Sequence, residues 1–379
     1  MDRRGVLLAG MGGMAAMGAC AARPAARAMS VGLPAVSQEE HARTIALMRP
    51  PKRTRPLVAI IGDNVGAETT DLLVPFNVLS RSGVADVVVV APVAAPIPLM
   101  PALRIQPTAS LAAFDAAHPD GPDYVIVPAQ HHQAAPAVVD WLVKQSRGGA
   151  TIIGVCAGAQ TLAAAGLLDH RLATSHWAEI ADLRHRHPTM VWRKDRRYVA
   201  DTGVVTTTGV TACLPMSLAL VEAIGGAQRA RILSDQLGAA GTDARHDSEA
   251  YRLDANWIRQ ALANSAAVWL HETVGLPVAD GQDELALAFT ADAYSRTYRS
   301  HLVTLAQAPS VRTAHGLELL ADRAPGGGHL DLILPPVSPD RPAASLDRAL
   351  AAIARRYGRN TAAFVALQLE YPWPAAGQA

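Results

Sequence analysis

The sequence predicts an α/β fold in which helices cover both faces of a parallel β-sheet. Short apolar, β-branched runs typical of buried strands alternate with segments whose apolar residues recur at helical spacing. One run, residues 151–155, leads directly into a glycine-flanked cysteine and a helix-forming segment at 157–168. Because reactive groups in parallel sheets collect at the carboxyl ends of the strands, we expect a functional site there.

The predicted elements begin with a strand at residues 57–61 and a helix that Thr69 or Thr70 can cap and Gly83 ends. The elements predicted from there to residue 224 are strand 87–90, strand 103–105, helix 109–114, strand 124–127, helix 138–144, strand 151–155, helix 157–168, helix 178–186, strand 190–192, hairpin 198–207 and helix 214–224.

The strand-to-helix turn around Cys156 gives the strongest functional signal. Gly154 and Gly158 stand two residues on either side of Cys156. This spacing is typical of a nucleophile elbow with Cys in place of Ser, because larger side chains at those positions would clash in so sharp a turn. The amino end of the following helix favours a thiolate. We interpret Cys156 as reactive; the alternative is that these small residues only pack a helix on the sheet.

Composition and net charge limit which other functions the protein can have. The chain has 379 residues, half of them apolar, and a formal net charge of +1, so cores can form and no basic excess points to a polyanion. No helix-turn-helix pattern stands out, so we expect a small-molecule partner and no nucleic acid. We expect no cofactor and no metal, since no third ligand of suitable spacing accompanies His131 and His132.

Residues 1–28 are typical of an export signal. Arg3 and Arg4 precede an apolar, glycine-rich run too short to span a bilayer, which resembles a twin-arginine signal. Residues 17–20 resemble a lipoprotein cleavage box, whose use would place a lipid anchor on Cys20. We therefore predict an exported, periplasmic protein, either cleaved free or anchored in the membrane. The alternative is a disordered cytosolic tail.

Removal of the signal leaves two cysteines, Cys156 and Cys213. Cys213 lies at a strand-to-helix junction and is most simply a buried small residue. A disulfide between the two would silence the nucleophile, and the sequence leaves that alternative open.

Three stretches within residues 57–237 resemble the DJ-1/PfpI superfamily. They are residues 66–83 with Asp71 in the helix start, residues 154–159 around the cysteine, and residues 166–177 together with 208–212. The resemblance implies a flavodoxin-like three-layer sandwich related to class I glutamine amidotransferase domains. The third stretch is similar to the branch that contains isocyanide hydratases and the sensor domains of AraC-type regulators.

By this resemblance, Asp71 is a carboxylic acid beside the nucleophile that shares a proton with it; the alternative is a helix-start carboxylate that only caps. His176 is either a base or substrate-orienting group, or a half-buried histidine bonded to backbone. The remaining candidates for substrate contact are Ala129, Ala157, Gly158, Thr174 and Trp177.

Two departures from the family pattern affect the predicted activity. Ala129 and Gln130 replace the usual Gly-Gly pair, so the oxyanion hole is expected to differ. Ala157 stands where isocyanide hydratases tend to have Thr, which weighs against an isocyanide substrate.

The second half contains a helix-like stretch at 256–274 and then repeats the strand, hairpin and strand-to-proline order of residues 87–128. The closing segment 346–373 resembles the terminal helix and tail of the isocyanide hydratase branch. We predict a truncated α/β module without a nucleophile, packed where a partner subunit would lie in the family's dimers. The protein would then be an intramolecular pseudo-dimer, or a homodimer. The alternative is a divergent set of helices and strands whose similarity is due to chance. The predicted organisation is signal 1–28, linker 29–55, DJ-1/PfpI-like domain 56–237, helical linker 238–279 and truncated module 280–379.

The predicted function is addition of the Cys156 thiolate to an electrophilic carbon of a small molecule, followed by hydrolysis. This is a hydratase or amidohydrolase-like activity, similar to that of isocyanide hydratases. The alternatives are a non-catalytic small-molecule-binding or sensor domain, and a redox-responsive protective protein in which Cys156 is oxidised.

Overall fold

Strands and helices alternate from residue 57 onward in the computed structural model, which describes residues 33–373. The strands are β1 (Leu57–Ile61), β2 (Ala67–Glu68), β3 (Asp86–Ala91), β4 (Ile97–Met100), β5 (Arg104–Gln106), β6 (Ala109–Ser110), β7 (Tyr124–Val127), β8 (Thr151–Gly154), β9 (Leu172–Ala173), β10 (Val191–Trp192), β11 (Tyr198–Asp201), β12 (Val204–Thr207), β13 (Glu272–Pro277), β14 (Ser300–Leu305), β15 (Ser310–Arg312), β16 (Glu318–Leu320) and β17 (Leu332–Ile333). The helices are α1 (Gln38–Leu47), α2 (Thr69–Ser82), α3 (Leu111–Ala117), α4 (Pro136–Arg147), α5 (Gly158–Ala164), α6 (Ile180–Arg186), α7 (Cys213–Gly225), α8 (Ala227–Leu237), α9 (Ala255–Ala266), α10 (Glu284–Ser295), α11 (Ser345–Tyr357) and α12 (Arg359–Gln368). The predicted export signal and Cys20 lie outside the described residues.

A seven-stranded sheet with the order β11-β12-β8-β7-β1-β3-β6 forms the centre of the first half. All neighbours pair in parallel except β11 and β12. Alternate residues of β1 enter different cores, because side chains of a strand point to opposite faces. Val58 and Ile60 pack with α2 and α7, while Ala59 and Ile61 pack with α3, α4 and α5. The predicted three-layer α/β sandwich with a parallel sheet is confirmed.

A smaller parallel sheet, β14-β13-β17, lies in the second half. Its order repeats the β3-β1-β7 order at the centre of the first sheet. The hairpin β15–β16 joins the two halves, because β16 pairs antiparallel with β5 and places Leu319 opposite Ile105. Helix α10 packs against α2. Among residues 33–373, no strand follows β17, so this half has no counterpart of the elbow.

Two segments predicted as linkers contain packed secondary structure. Helix α1 lies within residues 29–55, and Met48 at its end is fully buried in the core. The Met48 carbonyl accepts a hydrogen bond of 2.7 Å from the Tyr124 hydroxyl. The predicted helical stretch at 256–274 ends early. Helix α9 stops at Ala266, and Val274 lies in β13, buried between β14 and β17. The alternating apolar residues at 274 and 276 suit a central strand better than a helix.

Two helix boundaries also differ from prediction. Glu68, rather than Thr69 or Thr70, caps α2, because its carboxylate accepts the Asp71 N–H at 2.5 Å. The predicted terminal helix is divided into α11 and α12 by Gly358, whose φ of 93° lies outside the helical region. Within residues 33–373, no helix has the length and apolar character needed to cross a bilayer.

Candidate functional site

Cys156 occupies the sharp turn between β8 and α5. Its φ of 57° lies in the left-handed region, which is uncommon for a residue with a side chain and marks strain. The flanking glycines make the turn fit: a Cβ at Gly158 would lie 2.0 Å from the Val127 carbonyl oxygen, and one at Gly154 would lie 3.0 Å from the Ala159 nitrogen. The turn has the geometry that the glycine spacing predicted.

The end of strand β12 and the loop after β9 hold the backbone of Cys156 on both sides. The Cys156 N–H donates to Thr207 Oγ1 at 3.0 Å, and the Cys156 carbonyl accepts the Ser175 hydroxyl at 3.1 Å. Thr207 ends β12, and Ser175 lies in the loop after β9. The strained turn is therefore fixed by contacts from segments distant in sequence, and the Cys156 side chain is buried.

Asp71 lies fully buried in the first turn of α2. Its Oδ2 accepts the Ala129 N–H at 3.1 Å, whereas its Oδ1 has no hydrogen-bond partner. Burial raises the pKa of Asp71 from 3.8 to about 7, against the opposing effect of the Ala129 hydrogen bond. One oxygen of this carboxyl is thus anchored and the other is available for proton exchange.

The pKa of the Cys156 thiol is raised well above its ordinary range. Burial is the main cause, and the carboxylates of Asp71, Glu68 and Glu370 raise the pKa further. The Ala157 N–H, which donates toward the sulfur, acts in the opposite direction. This contradicts the expected thiolate: the amino end of α5, a helix of seven residues, does not offset burial and three neighbouring carboxyls.

Glu68 and Arg296 extend the site into the second half of the chain. Arg296 follows α10, and its guanidinium contacts Glu68 Oε1 at 2.6 Å and Asp292 Oδ1 at 2.5 Å. Burial, Asp292 and Asp71 all raise the pKa of Glu68, while Arg296 lowers it. A related pair lies at the other end of the same helix contact, where Arg81 of α2 binds Asp283 at the start of α10.

His176 has the bonding of a backbone-anchored histidine. Its Nε2 lies 3.2 Å from the Gln368 carbonyl oxygen, to which it donates, and its Nδ1 accepts the Ala178 N–H at 3.2 Å. Burial lowers the pKa of His176 to about 4, so the ring is neutral near pH 7. Of the two interpretations given to this residue, the geometry favours the structural one, because both ring nitrogens are occupied.

The predicted substrate-contact residues are distributed around Cys156 but are mostly bonded within the protein. The Ala129 N–H is bound by Asp71, so it is not free to stabilise an oxyanion. Gly158 packs against the Val127 carbonyl, and Thr174 donates its N–H to Thr206 Oγ1 at 2.8 Å. Ala157, at the start of α5, is the one of the five whose N–H faces the sulfur.

Trp177 contacts the carboxy-terminal segment rather than an open cavity. Its N–H donates to Glu370 Oε1 at 2.8 Å, and its Nε1–H donates to the Leu367 carbonyl at 3.2 Å. Burial raises the pKa of Glu370 to about 7, although the N–H groups of Gly209 and Trp177 oppose this rise. Glu370 was not identified from the sequence, because it is separated from Cys156 by more than half the chain.

Two further features named from the sequence are a Cys156–Cys213 disulfide and a metal site at the histidine pair. Cys156 and Cys213 are both free thiols, so no disulfide silences the nucleophile. His132, an exposed side chain, has its Nδ1 3.7 Å from Oδ2 of the buried Asp63. Within residues 33–373, no three side chains of His, Cys, Asp or Glu are grouped to hold a metal ion.

This arrangement of a cysteine elbow and a buried acid on a parallel sheet coincides with a family match. Residues 57–223 match the DJ-1/PfpI family.

Individual relatives share shorter regions. The chain is 34% identical over 114 residues to the HTH-type transcriptional regulator CdhR of Pseudomonas aeruginosa, which covers 30% of this chain and 34% of the regulator. It is 35% identical over 101 residues to isonitrile hydratase of Pseudomonas putida, covering 26% of this chain and 42% of the hydratase. The chain thus spans less than half of either relative. Among solved structures, Drosophila melanogaster DJ-1beta aligns with a TM-score of 0.44 and 22% identity, over 49% of this chain and 99% of the other.

Proposed function

We propose that the protein is a cysteine-dependent enzyme that adds water to an electrophilic carbon of a small molecule, with Cys156 as nucleophile and Asp71 as its proton partner. The observation that supports this best is the strained turn at Cys156 beside a buried acid with one free oxygen. Strain of this kind persists only where surrounding contacts maintain it, and it is concentrated at functional sites.

The protonation states suggest how such a reaction would run. Near pH 7 the thiol is protonated, and Asp71, with a pKa of about 7, is present in both forms. The sulfur bonds to the substrate carbon while the thiol proton passes to the Asp71 carboxylate, which delivers it to the substrate. Water then adds to the same carbon, the carbon–sulfur bond breaks and the sulfur regains a proton. The net change is the addition of one water molecule.

An isocyanide is the first substrate class to test. The similarity to an isonitrile hydratase supports it, although Ala157 departs from the residue common in that branch. We expect purified protein to convert aliphatic or aromatic isocyanides to N-substituted formamides. Cys156→Ser and Asp71→Asn should each lower the rate at least about 100-fold, because each removes an essential proton-transfer or bond-forming group. Cys213→Ser, the matched control, should retain the rate of the parent.

A non-catalytic sensor is the second candidate. It is supported by the occupied Ala129 N–H, which is not free as an oxyanion donor, and by the similarity to the regulator CdhR. A ligand that binds equally well to the parent and to Cys156→Ser, together with no turnover of any isocyanide, would favour this candidate. Rapid oxidation of Cys156 to a sulfenic acid by dilute peroxide would instead favour the protective role.

We also propose that the protein acts outside the cytoplasm. The support is the twin-arginine-like and lipobox-like pattern of residues 1–28, with Arg3, Arg4 and Cys20. The partner proposed there is a small molecule.

A further inference from the structure

The carboxy-terminal segment 367–371 is bonded along its length to two loops next to the groups that bind the Cys156 backbone. The Leu367 and Gln368 carbonyls accept hydrogen bonds from Trp177 Nε1 and His176 Nε2. The Leu369 carbonyl accepts the Thr211 N–H at 3.2 Å. The segment therefore contacts both the loop after β9 and the loop after β12.

Glu370 lies at the centre of these contacts with a strained backbone. Its φ is 48°, and the residue is only 3% exposed. Its carbonyl accepts the Thr211 hydroxyl at 3.0 Å, while its carboxylate accepts the Trp177 N–H. The fit against the second loop is close, since a Cβ at Gly209 would lie 2.6 Å from Glu370 Cδ. A buried glutamate in the left-handed region is costly, so the surrounding contacts must maintain it.

We propose that Glu370 is a positioning residue for Cys156: it ties together the loops after β9 and β12, next to the groups that bind the cysteine backbone, and adds a third carboxyl, after Asp71 and Glu68, near the thiol. The path is short. Trp177 and Ser175 belong to one loop, and Thr207 adjoins the loop of Gly209; Ser175 and Thr207 bind the Cys156 carbonyl and N–H. This inference rests on the proposed role of Cys156 and assigns the second half of the chain a part in the site.

The histidines beside Glu370 do not neutralise its negative charge, so that charge opposes ionisation of the Cys156 thiol. His176 Nε2 and His246 Nε2 lie 3.9 and 3.2 Å from its oxygens, and burial lowers the pKa of both histidines to about 4, so neither neutralises it near pH 7. Arg197 lowers the pKa of Glu370 from farther away, and Tyr251 is affected by its charge. The same charge raises the pKa of Cys156.

The test compares Glu370→Gln with the parent in the pH dependence of Cys156 alkylation, followed by peptide mass spectrometry. Gln keeps the shape and the acceptor for Trp177 but removes the charge, so the midpoint should shift about one unit to lower pH, which is roughly tenfold faster alkylation below the midpoint. Glu272→Gln is the control: Glu272 also joins two elements, through Arg356 and Tyr357. Its profile should match that of the parent.

Two further variants distinguish the loop-joining contacts of Glu370 from the effect of its charge. One of them also provides a test if Glu370→Gln does not fold. Glu370→Ala should raise amide hydrogen exchange at Trp177 about tenfold, whereas Glu370→Gln should not. Gly209→Ala should displace the carboxyl and shift the alkylation midpoint in the same direction as Glu370→Gln, and it decides the test if that variant does not fold. Unshifted profiles in the folded variants would overturn the inference. Alkylation needs no substrate, so a shifted profile in a protein without hydratase activity would count against the proposed function alone.

Discussion

Asp71 and Cys156 are both buried, and burial favours the neutral form of each. The thiol keeps its proton because ionisation would place a negative charge beside three carboxyls. Asp71 is less affected, since the Ala129 N–H stabilises its ionised form. Near neutral pH the Asp71 carboxyl therefore ionises more readily than the Cys156 thiol and can accept the thiol proton. Activation of the nucleophile depends on this proton transfer rather than on a preformed thiolate.

The raised pKa of Asp71 predicts a specific dependence of stability on pH. The folded pKa of about 7 exceeds the ordinary value of 3.8, so the stabilising protonated state is complete below about pH 4 and is lost as the pH rises through 7. Asn cannot ionise. Asp71→Asn should therefore lose less unfolding free energy than the parent between pH 4.5 and 7.5, by about 3 kcal/mol, in urea titrations.

Asp86→Asn serves as the control for that measurement. Asp86 is an exposed carboxylate whose partner, Arg55, is also largely exposed. Its stability curve should run parallel to that of the parent. Parallel curves for Asp71→Asn as well would show that Asp71 titrates normally in the folded protein.

At the scale of elements, the contact between α2 and α10 contains two crossed ion pairs. Arg296 binds Glu68 at one end, and Arg81 binds Asp283 at the other. Arg296 also binds Asp292, four residues before it in the chain. Burial of these charges is tolerable only because they are paired. The contact thus fixes the start of α2, and with it Asp71, through a residue from the second half.

Removing the buried guanidinium should be costly. Arg296→Met leaves Glu68 and Asp292 buried without their cation, and we expect a loss of about 3 to 5 kcal/mol in unfolding free energy at pH 7.5. The loss should shrink at pH 5, because burial raises the pKa of Glu68 and its carboxyl is then protonated. Arg55→Met, which breaks an exposed pair, should cost less than about 1 kcal/mol in the same denaturation series. Equal losses in the two variants would contradict the structural role given to Arg296.

The elbow could be predicted because its pattern is local in the sequence. The contacts that distant segments make with the site could not be predicted. Gly154, Cys156 and Gly158 lie within five residues, so the chemical requirement of the turn is written in one stretch of sequence. Arg296 and Glu370 reach the site through tertiary packing, and nothing in their local sequence marks them. The short helix after Cys156 suggested a thiolate because helix position can be inferred from sequence, whereas the burial that opposes ionisation cannot.

At the scale of the whole molecule, the second half completes the first. It contributes the parallel sheet β14-β13-β17, a hairpin strand paired with β5 and the carboxy-terminal segment over the elbow loops. The order of β14, the hairpin β15–β16 and β17 agrees with the predicted repeat of the strand, hairpin and strand in residues 87–128. The proposed equivalence of this half to a partner subunit, and the predicted boundaries at residues 56, 238 and 280, stay predictions.

Export is a prediction that concerns the whole chain and that cell fractionation can test. Replacing Arg3 and Arg4 together by Lys should retain the protein in the cytoplasm, because a twin-arginine signal depends on both guanidinium groups. Cys20→Ser should abolish incorporation of radiolabelled palmitate if Cys20 is lipidated, while Cys213→Ser should not change it. Periplasmic recovery of the Lys-Lys variant at the level of the parent would contradict the signal assignment.

The most direct test of the central claim, that Cys156 and Asp71 act as one proton-sharing pair, is the pH dependence of Cys156 alkylation in the parent and in Asp71→Asn, with Asp86→Asn, which removes an exposed carboxylate, as the control. Removing the Asp71 charge should lower the pKa of the thiol, so alkylation at pH 8 should become faster by about tenfold while isocyanide hydration falls. These opposite changes follow only if Asp71 both opposes ionisation of the thiol and serves as its base. An unchanged Cys156 profile in Asp71→Asn would show that the two residues do not interact, and the enzymatic proposal would then be abandoned for a binding role.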